Sequence, residues 1–325
     1  MKKYYLLYLL TSLALVIGAF TVFKSYHTTA PTVGHGNINP KNIPLGTEIN
    51  TLPPEIAQKS AAQVFAHTVE NRLPTTGLLS EYNSITDGRV FVHKNLNNLA
   101  SGGLYYSSKI ADQCSAFAGL GNILTKSQPD IDVVGTSNFV NASKALQRLQ
   151  ARCAQFTEDE LAKLSGRSSF ASQNAKDDPL IGSLQALIEA GSKTDMRTKA
   201  VAEILRLSDP LVLDDIGMRL SIATGTNGAY LFLDGQKYPI KEEPALAAAF
   251  YLLPCGLGLA CDSSDPLLSL RCVTGQGCYA NRFEVVKSEM SGRFGEKYPE
   301  ILMAYYKLVA AVQAGDASRF VPAIP

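Results

Sequence analysis

An uncharged run of twenty residues, Tyr4 to Phe23, opens the chain between Lys2-Lys3 and Lys24. About 20 apolar residues in a helix are enough to cross the roughly 30 Å hydrocarbon core of a bilayer. We therefore interpret residues 1–24 as a transmembrane signal anchor. A cleaved signal peptide is the alternative, although it needs a shorter apolar region and a small-x-small cleavage site. The excess of lysine before the run predicts a cytoplasmic N-terminus and translocation of everything after residue 24.

The chain has six cysteines: Cys114, Cys153, Cys255, Cys261, Cys272 and Cys278. An even number of cysteines in a translocated domain indicates disulfide bonds. Cys114 and Cys153 each lie on the apolar face of a predicted helix, so we expect them to pair. The last four cysteines allow three pairings, among which the spacing does not choose; we favour Cys255–Cys261 with Cys272–Cys278. A zinc site is the weaker interpretation, because structural zinc prefers gaps of about two to four residues.

Residues 25–53 have the composition of a linker. They contain four prolines, three glycines and five threonines but only two charges, and their apolar residues show no period. As a coil, such a segment spans on the order of 30 Å. We therefore predict an α-helical extracytoplasmic domain over residues 54–325, which the linker holds away from the membrane.

Apolar residues recur at helical spacing after residue 54. The pattern predicts helices over residues 54–73, 87–101, 104–118, 138–154, 244–253, 282–291 and 299–313. Residues 230–240 break it, because two short apolar runs flank Asp234-Gly235 and predict a β-hairpin with a two-residue turn. Pro239 requires an edge position for its strand. The predicted fold class is all-α: stacked antiparallel helix pairs with one short β-hairpin and a disulfide-stapled loop near the C-terminus.

One helix start occurs three times, as Asp178-Pro179, Asp209-Pro210 and Asp265-Pro266. In each copy the aspartate can cap the helix, and the proline occupies the first turn, where no backbone donor is needed. The first two copies lie 31 residues apart with another predicted helix between them. A helix pair at that period is typical of tetratricopeptide-type arrays. The alternative is that Asp-Pro is simply a common way to begin a helix.

Three motifs follow one another in a fixed order. They are Leu99-Ala100-Ser101-Gly102-Gly103-Leu104-Tyr105-Tyr106 with Cys114, then Arg152-Cys153, then Leu257-Gly258-Leu259-Ala260-Cys261-Asp262 with Gly277-Cys278. In this order the chain resembles exported proteins of unassigned function in proteobacteria, over roughly residues 88–315. Its helix pairs also look like degenerate Sel1/tetratricopeptide repeats. The resemblance implies an all-helical, disulfide-bearing, exported protein, and it carries no activity and no catalytic residue.

Signatures of common enzyme classes are missing from the sequence. It contains no His-Glu-x-x-His, Gly-x-Ser-x-Gly, P-loop or Gly-x-Gly-x-x-Gly motif. Of its four histidines, two stand in the linker, whereas His67 and His93 fall in predicted helices. A histidine there could pair with a carboxylate as a general base, although a solvated or core-edge histidine is the simpler interpretation. We therefore predict no catalytic residue, no metal site and no cofactor.

The nearly neutral net charge of the chain limits the kinds of partner it can bind. The chain has 30 basic and 29 acidic residues; without Lys2, Lys3 and Lys24, 27 basic residues remain and the net charge is −2. Such a surface lacks the positive charge that a general nucleic-acid binder needs. Contact with the inner membrane is expected through residues 4–23. The expected location is therefore a single pass in the inner membrane with a periplasmic C-terminal domain, or the periplasm or outside if the run is cleaved.

These observations favour a protein-binding or scaffold module in the cell envelope, with another envelope protein as its partner. Two alternatives remain open. One is an envelope hydrolase that acts on peptidoglycan or a peptide, and the other is a component of an envelope transport or secretion assembly. The sequence favours a protein that is not an enzyme.

Overall fold

The computed structural model describes residues 77–124, 136–165, 173–225, 228–240, 244–294 and 297–323. The predicted anchor over residues 1–24, the linker over 25–53 and the predicted helix over 54–73 lie outside the described residues. Within the part that is described, no helix is both long enough and apolar enough to cross a bilayer.

Helices dominate the described part of the chain, which contains twelve of them. In order they are α1 Gly77–Asn83, α2 Gly88–Asn95, α3 Gly103–Leu124, α4 Thr136–Cys153, α5 Glu158–Leu164, α6 Pro179–Ala190, α7 Thr194–Leu207, α8 Pro210–Ile216, α9 Pro244–Leu252, α10 Pro266–Val273, α11 Arg282–Phe294 and α12 Tyr298–Ala314. The mostly helical architecture is therefore confirmed. The predictions over 138–154, 244–253 and 299–313 are correct to within two residues at each end.

The β structure is larger than the sequence predicted. Strands β1 Ile222–Gly225, β2 Gly228–Leu233 and β3 Gln236–Pro239 form an antiparallel sheet in that order. The predicted hairpin is β2–β3, and Pro239 lies in an edge strand as expected. The prediction of a hairpin alone, within an all-α fold, was wrong, because β1 adds a third strand. β1 has only four residues and no apolar alternation, so its sequence resembles a loop.

The hairpin turn is attached to the C-terminal end of the described chain. Asp234 and Gly235 both have positive φ, 51° and 80°, as a type I′ turn requires. The Asp234 backbone N–H donates to the Arg319 carbonyl over 2.9 Å, and Arg319 Nε donates to Asp234 Oδ1 over 2.5 Å. These bonds hold the sheet against the short 3₁₀ turn Ala317–Arg319, which Phe320 follows fully buried.

The three Asp-Pro motifs begin helices as predicted. Asp178, Asp209 and Asp265 each accept hydrogen bonds from backbone N–H groups in the first turn of α6, α8 and α10. Two of these caps also receive bonds from α3. The Tyr105 backbone N–H donates to Asp178 over 3.0 Å, and the Tyr106 hydroxyl donates to Asp209 over 2.7 Å. The caps therefore connect helices as well as starting them, and their burial raises the pKa of Asp178 and Asp209.

All six cysteines are in disulfides. Cys114 pairs with Cys153 and joins α3 to α4, with 5.3 Å between the two Cα atoms. The other bonds are Cys255–Cys261 and Cys272–Cys278, each closing a short loop, and these are the pairs that the sequence analysis favoured. Disulfides of this kind are typical of proteins that fold in an oxidising, exported compartment.

Several helices that are adjacent in sequence pack together: α6 against α7 most extensively, and also α2 against α3, α3 against α4, and α11 against α12. Two other close pairs, α4 with α10 and α9 with α12, come from distant parts of the chain. Stacking of neighbouring pairs is therefore only part of the architecture, and the tetratricopeptide-type repeat remains a prediction.

Candidate ligand-binding cleft

A cleft of about 240 Å³ opens at the surface where α4 packs against α10. Three segments line it: the last residue of α1 with the loop that follows it, Asn83 to Thr86; one face of the second half of α4; and the start of α10. The lining residues are Asn83, Ser84, Ile85, Thr86, Arg148, Leu149, Ala151, Arg152, Ser264, Pro266 and Ser269. We call this space the Arg152 cleft, after the buried arginine that lines it.

Local chemistry fixes the α4 wall of the cleft. Arg152 directly precedes Cys153, whose disulfide to Cys114 ties the end of α4 to α3. The start of α2 approaches the same backbone closely. A Cβ atom on Gly88 would lie 2.8 Å from the Arg152 carbonyl oxygen, so this position requires glycine. The backbone at Arg152 is therefore held from two sides.

Asn83 fixes the opposite wall against the disulfide loop of Cys255–Cys261. Its Nδ2 donates to the Gly258 carbonyl over 2.9 Å, and its Oδ1 accepts from the Ala260 N–H over 3.1 Å. One side chain thus satisfies both a donor and an acceptor of the loop backbone. The disulfide that closes this loop therefore shapes the wall of the cleft.

Arg152 itself is unusual, because it is a buried cation that forms no ion pair with any described carboxylate. The residue is only 6% exposed. Its guanidinium carbon lies 5.0 Å from the centre of the Tyr82 ring, which offers a cation–π contact. However, Nε and Nη2 are buried and have no hydrogen-bond partner among the described residues. Buried donors without a partner are rare and costly.

The positions of these two nitrogens matter chemically. Nε–H and Nη2–H lie on the same edge of the planar guanidinium and point in nearly the same direction. This edge matches the two oxygens of a carboxylate or phosphate, which arginine binds in bidentate fashion. Arg152 lines the cleft, and its buried side chain carries this oxyanion-binding edge.

Arg282 is the centre of a polar cluster close to Arg152. Arg282, only 1% exposed, donates through Nε to Asp265 over 2.6 Å and through Nη1 to Asp214 over 2.5 Å. Its guanidinium also lies 4.9 Å from the centre of the Tyr251 ring. Arg282 therefore connects α8, α9 and the cap of α10. A small cavity of about 20 Å³, room for about one water molecule, is lined by Arg152 and this cluster.

Burial dominates the electrostatics of this region. It lowers the pKa of Arg152, and the nearby Tyr82 and Asp265 offset part of that effect. It raises the pKa of Asp265 despite the attraction of Arg282. Burial opposes the charge on Arg282, but its bonds to Asp214 and Asp265 outweigh that effect and raise the pKa. Burial likewise raises the pKa of Tyr82 to about 12. Arginine is not deprotonated in proteins, so both arginines stay charged, whereas the raised pKa keeps Tyr82 neutral.

The described lining of the Arg152 cleft includes no histidine, cysteine or carboxylate, and arginine does not act as a general base near neutral pH. His93 lies elsewhere, 65% exposed and 3.8 Å from Glu160, beyond hydrogen-bond distance. His67 lies outside the described residues. Among the residues described, no three histidine, cysteine, aspartate or glutamate side chains are grouped to hold a metal ion.

Sequence reasoning named the cysteines correctly as structural residues but missed both buried arginines. Arg152 follows Ala145 and Leu149 at helical spacing, and both of those residues are buried. A charged residue on that apolar stripe was the available signal. Arg282 offered no such stripe, since it stands at the first position of α11.

Comparison with known proteins adds no assignment. No family model, curated protein or solved structure matches this chain. The function must therefore be argued from the geometry of the Arg152 cleft. The resemblance to exported proteobacterial proteins stays an expectation.

Proposed function

We propose that this chain is an exported binding module that holds an acidic group of another envelope protein in the Arg152 cleft. The observation that carries this proposal is the buried Arg152 edge with two N–H groups unpaired among the described residues. Leaving such donors unpaired costs about 1–3 kcal/mol, more for a charged group. An acceptor supplied by a ligand would recover that cost. The geometry therefore favours the bound state.

Charge at the cleft supports an anionic partner. Arg148 is exposed on the same face of α4, one turn before Arg152, and lines the cleft. An acidic group would first meet Arg148 and then pair with Arg152. Electrostatic attraction of this kind speeds association and falls with salt. Binding in the cleft should therefore weaken at high ionic strength.

Binding is a better account of this cleft than hydrolysis. A hydrolase needs a nucleophile or activated water beside a group that can accept its proton. Of the hydroxyls in the described lining, that of Ser264 donates to Asp262 Oδ1 over 2.6 Å. This carboxylate also accepts from the Ser264 backbone N–H, and the two bonds lower its pKa, so it is a weak proton acceptor. Two other nearby carboxylates, Asp214 and Asp265, are both held by Arg282. We therefore place binding first.

The proposed location follows from two features. The three disulfides favour an oxidising compartment, and the uncharged run over residues 4–23 would anchor the chain in the inner membrane. The domain would then act on the periplasmic side, or be released there if the run is cleaved. A place in an envelope transport or secretion assembly is compatible with the same layout.

Site-specific photocrosslinking of the full chain tests the proposal. A benzophenone amino acid replaces Thr86, an exposed residue that lines the cleft, in the cells that produce the protein. The control replaces Gln147, which is exposed on α4 but does not line the cleft. We expect a discrete adduct with one envelope protein from position 86 and not from position 147. No adduct at 86, or the same adducts at both positions, would overturn the proposal.

A further inference from the structure

We infer that the group held by Arg152 is a C-terminal carboxylate, so that the cleft recognises the free end of a polypeptide. This inference rests on the proposed function and makes the ligand specific. It depends on three features of the site: the shape of the unpaired edge, the charge balance around it, and the volume of the cleft.

The unpaired edge selects a planar pair of oxygens. Nε and Nη2 of Arg152 are the two atoms without a partner among the described residues, whereas other buried contacts of this side chain go to Tyr82. Two parallel N–H groups bind two coplanar oxygens best. An amide or hydroxyl offers one acceptor and would leave the other N–H unpaired. A carboxylate satisfies both.

Charge balance favours a single negative charge over two. The buried arginines, Arg152 and Arg282, are matched in number by the two aspartates that pair with Arg282, buried Asp265 and partly exposed Asp214. Asp265 already acts electrostatically on Arg152. A phosphate carrying nearly two negative charges would meet no excess of buried positive charge and would be repelled by Asp265. A carboxylate brings one charge, which exposed Arg148 at the same cleft can balance.

The volume favours a chain end over an internal acidic residue. About 240 Å³ is below the range of roughly 300–1,000 Å³ that holds a drug-sized ligand. An internal aspartate or glutamate would need room for the chain on both sides, whereas a C-terminus needs room on one side only. Ile85, Leu149 and Pro266 line the same space and offer apolar contacts to the last side chain. The preferred ligand therefore ends in a small apolar residue with a free carboxylate.

Paired peptides test this inference on the purified full-length chain. The probes are N-acetyl-Ala-Ala-Leu as the free acid and as the C-terminal amide, with sodium acetate and inorganic phosphate as small anions. Dissociation constants come from calorimetry, and the ¹⁵N–¹H signal of the Arg152 side chain reports contact. We expect the free acid to bind at least tenfold more tightly than the amide and to shift the Arg152 Nε signal.

Two variants connect that difference to the cleft. Arg152→Lys keeps the charge but loses the paired N–H edge. It should therefore weaken binding of the free-acid peptide at least tenfold, so that the acid no longer binds more tightly than the amide. Ala151→Phe should fill the exposed part of the cleft without removing any buried group, and Gln147→Phe on the same helix is its matched control. Near-ultraviolet circular dichroism checks that each variant is folded. If Arg152→Lys fails to fold, the Ala151 and Gln147 pair decides the result.

Each outcome decides between the claims. Equal binding of acid and amide would overturn the carboxylate inference and leave the proposed function standing. Tighter binding of phosphate, or of acetate than of the peptide acid, would overturn the claim of a polypeptide end. If no probe binds the wild-type chain at millimolar concentration while position 86 still crosslinks a partner, the inference fails and the docking surface survives. If both experiments are negative, both fail.

Discussion

Arg282 offers the sharpest test of how the interior is stabilised. Replacing it with methionine removes the only cation that pairs directly with Asp214 and Asp265 among the described residues. Removing one partner of a buried ion pair typically costs about 3–5 kcal/mol, because the other charge is left uncompensated. Arg282 connects three helices, so we expect Arg282→Met to lower the free energy of unfolding by about 4 kcal/mol at pH 7.

The loss of unfolding free energy in Arg282→Met should depend on pH, and Asp265 determines whether it grows or shrinks as the pH falls. Burial raises the folded-state pKa of this carboxyl, and Arg282 opposes that rise. Without Arg282 its pKa rises further. A group with a raised folded pKa favours folding below its unfolded pKa and loses that contribution as pH rises through the folded pKa. The deficit of Arg282→Met should therefore be largest near pH 7 and shrink toward pH 4.

Urea unfolding at several pH values, followed by circular dichroism, measures this deficit. Arg206→Met is the matched control, because Arg206 is 61% exposed and pairs with Glu203 on the surface. Exposed pairs contribute about 0–1 kcal/mol. A deficit below about 1 kcal/mol for Arg282→Met at pH 7, or one that does not shrink at low pH, would refute the reasoning.

Three further predictions concern single features. Gly102→Ala should destabilise the domain by about 2 kcal/mol, because φ is +85° and the new Cβ would lie 2.4 Å from a Leu180 methyl. Gly119→Ala is the control and should stabilise the domain, because this glycine lies in a helix with open space around it. Equal effects of the two substitutions on thermal unfolding would contradict this prediction. Replacing Cys114 and Cys153 with alanine should cost about 4 kcal/mol in urea, and no loss would mean that the bond is dispensable. Glu160 should titrate at a pKa of about 2, because Thr157 and Arg89 bond its carboxylate. The carboxylate of Glu160 then stabilises the fold above its unfolded pKa, and this stabilisation is lost as the pH falls toward 2. NMR titration of the Glu160 side chain would measure the pKa.

Much of the fold was predictable where a few neighbouring residues decide the outcome. Asp-Pro starts a helix because the aspartate accepts the orphan N–H groups and proline needs none, and all three copies do so. Asp234-Gly235 makes a hairpin because both residues accept positive φ. Cys114 and Cys153 could be paired because both lie on buried helix faces.

Tertiary context decided the features that were missed. The helix predicted over 104–118 continues through Gly119 to Leu124, since a single exposed glycine does not outweigh the rest of the helix. Arginine is mostly found on protein surfaces. The apolar stripe of α4 was a signal for Arg152, whereas only packing reveals that Arg282 is buried. The candidate site could not be predicted, because its lining comes from α1, α4 and α10, which are far apart in the sequence.

Peptide mapping under non-reducing conditions tests the central claim most directly: that this is an exported domain held together by three disulfides. The full chain would be isolated from the cells that produce it, with free thiols blocked at lysis, and digested for mass spectrometry. The account predicts linked peptides for Cys114–Cys153, Cys255–Cys261 and Cys272–Cys278, with no blocked thiol. Six blocked thiols in the mature protein would contradict both the compartment and the architecture.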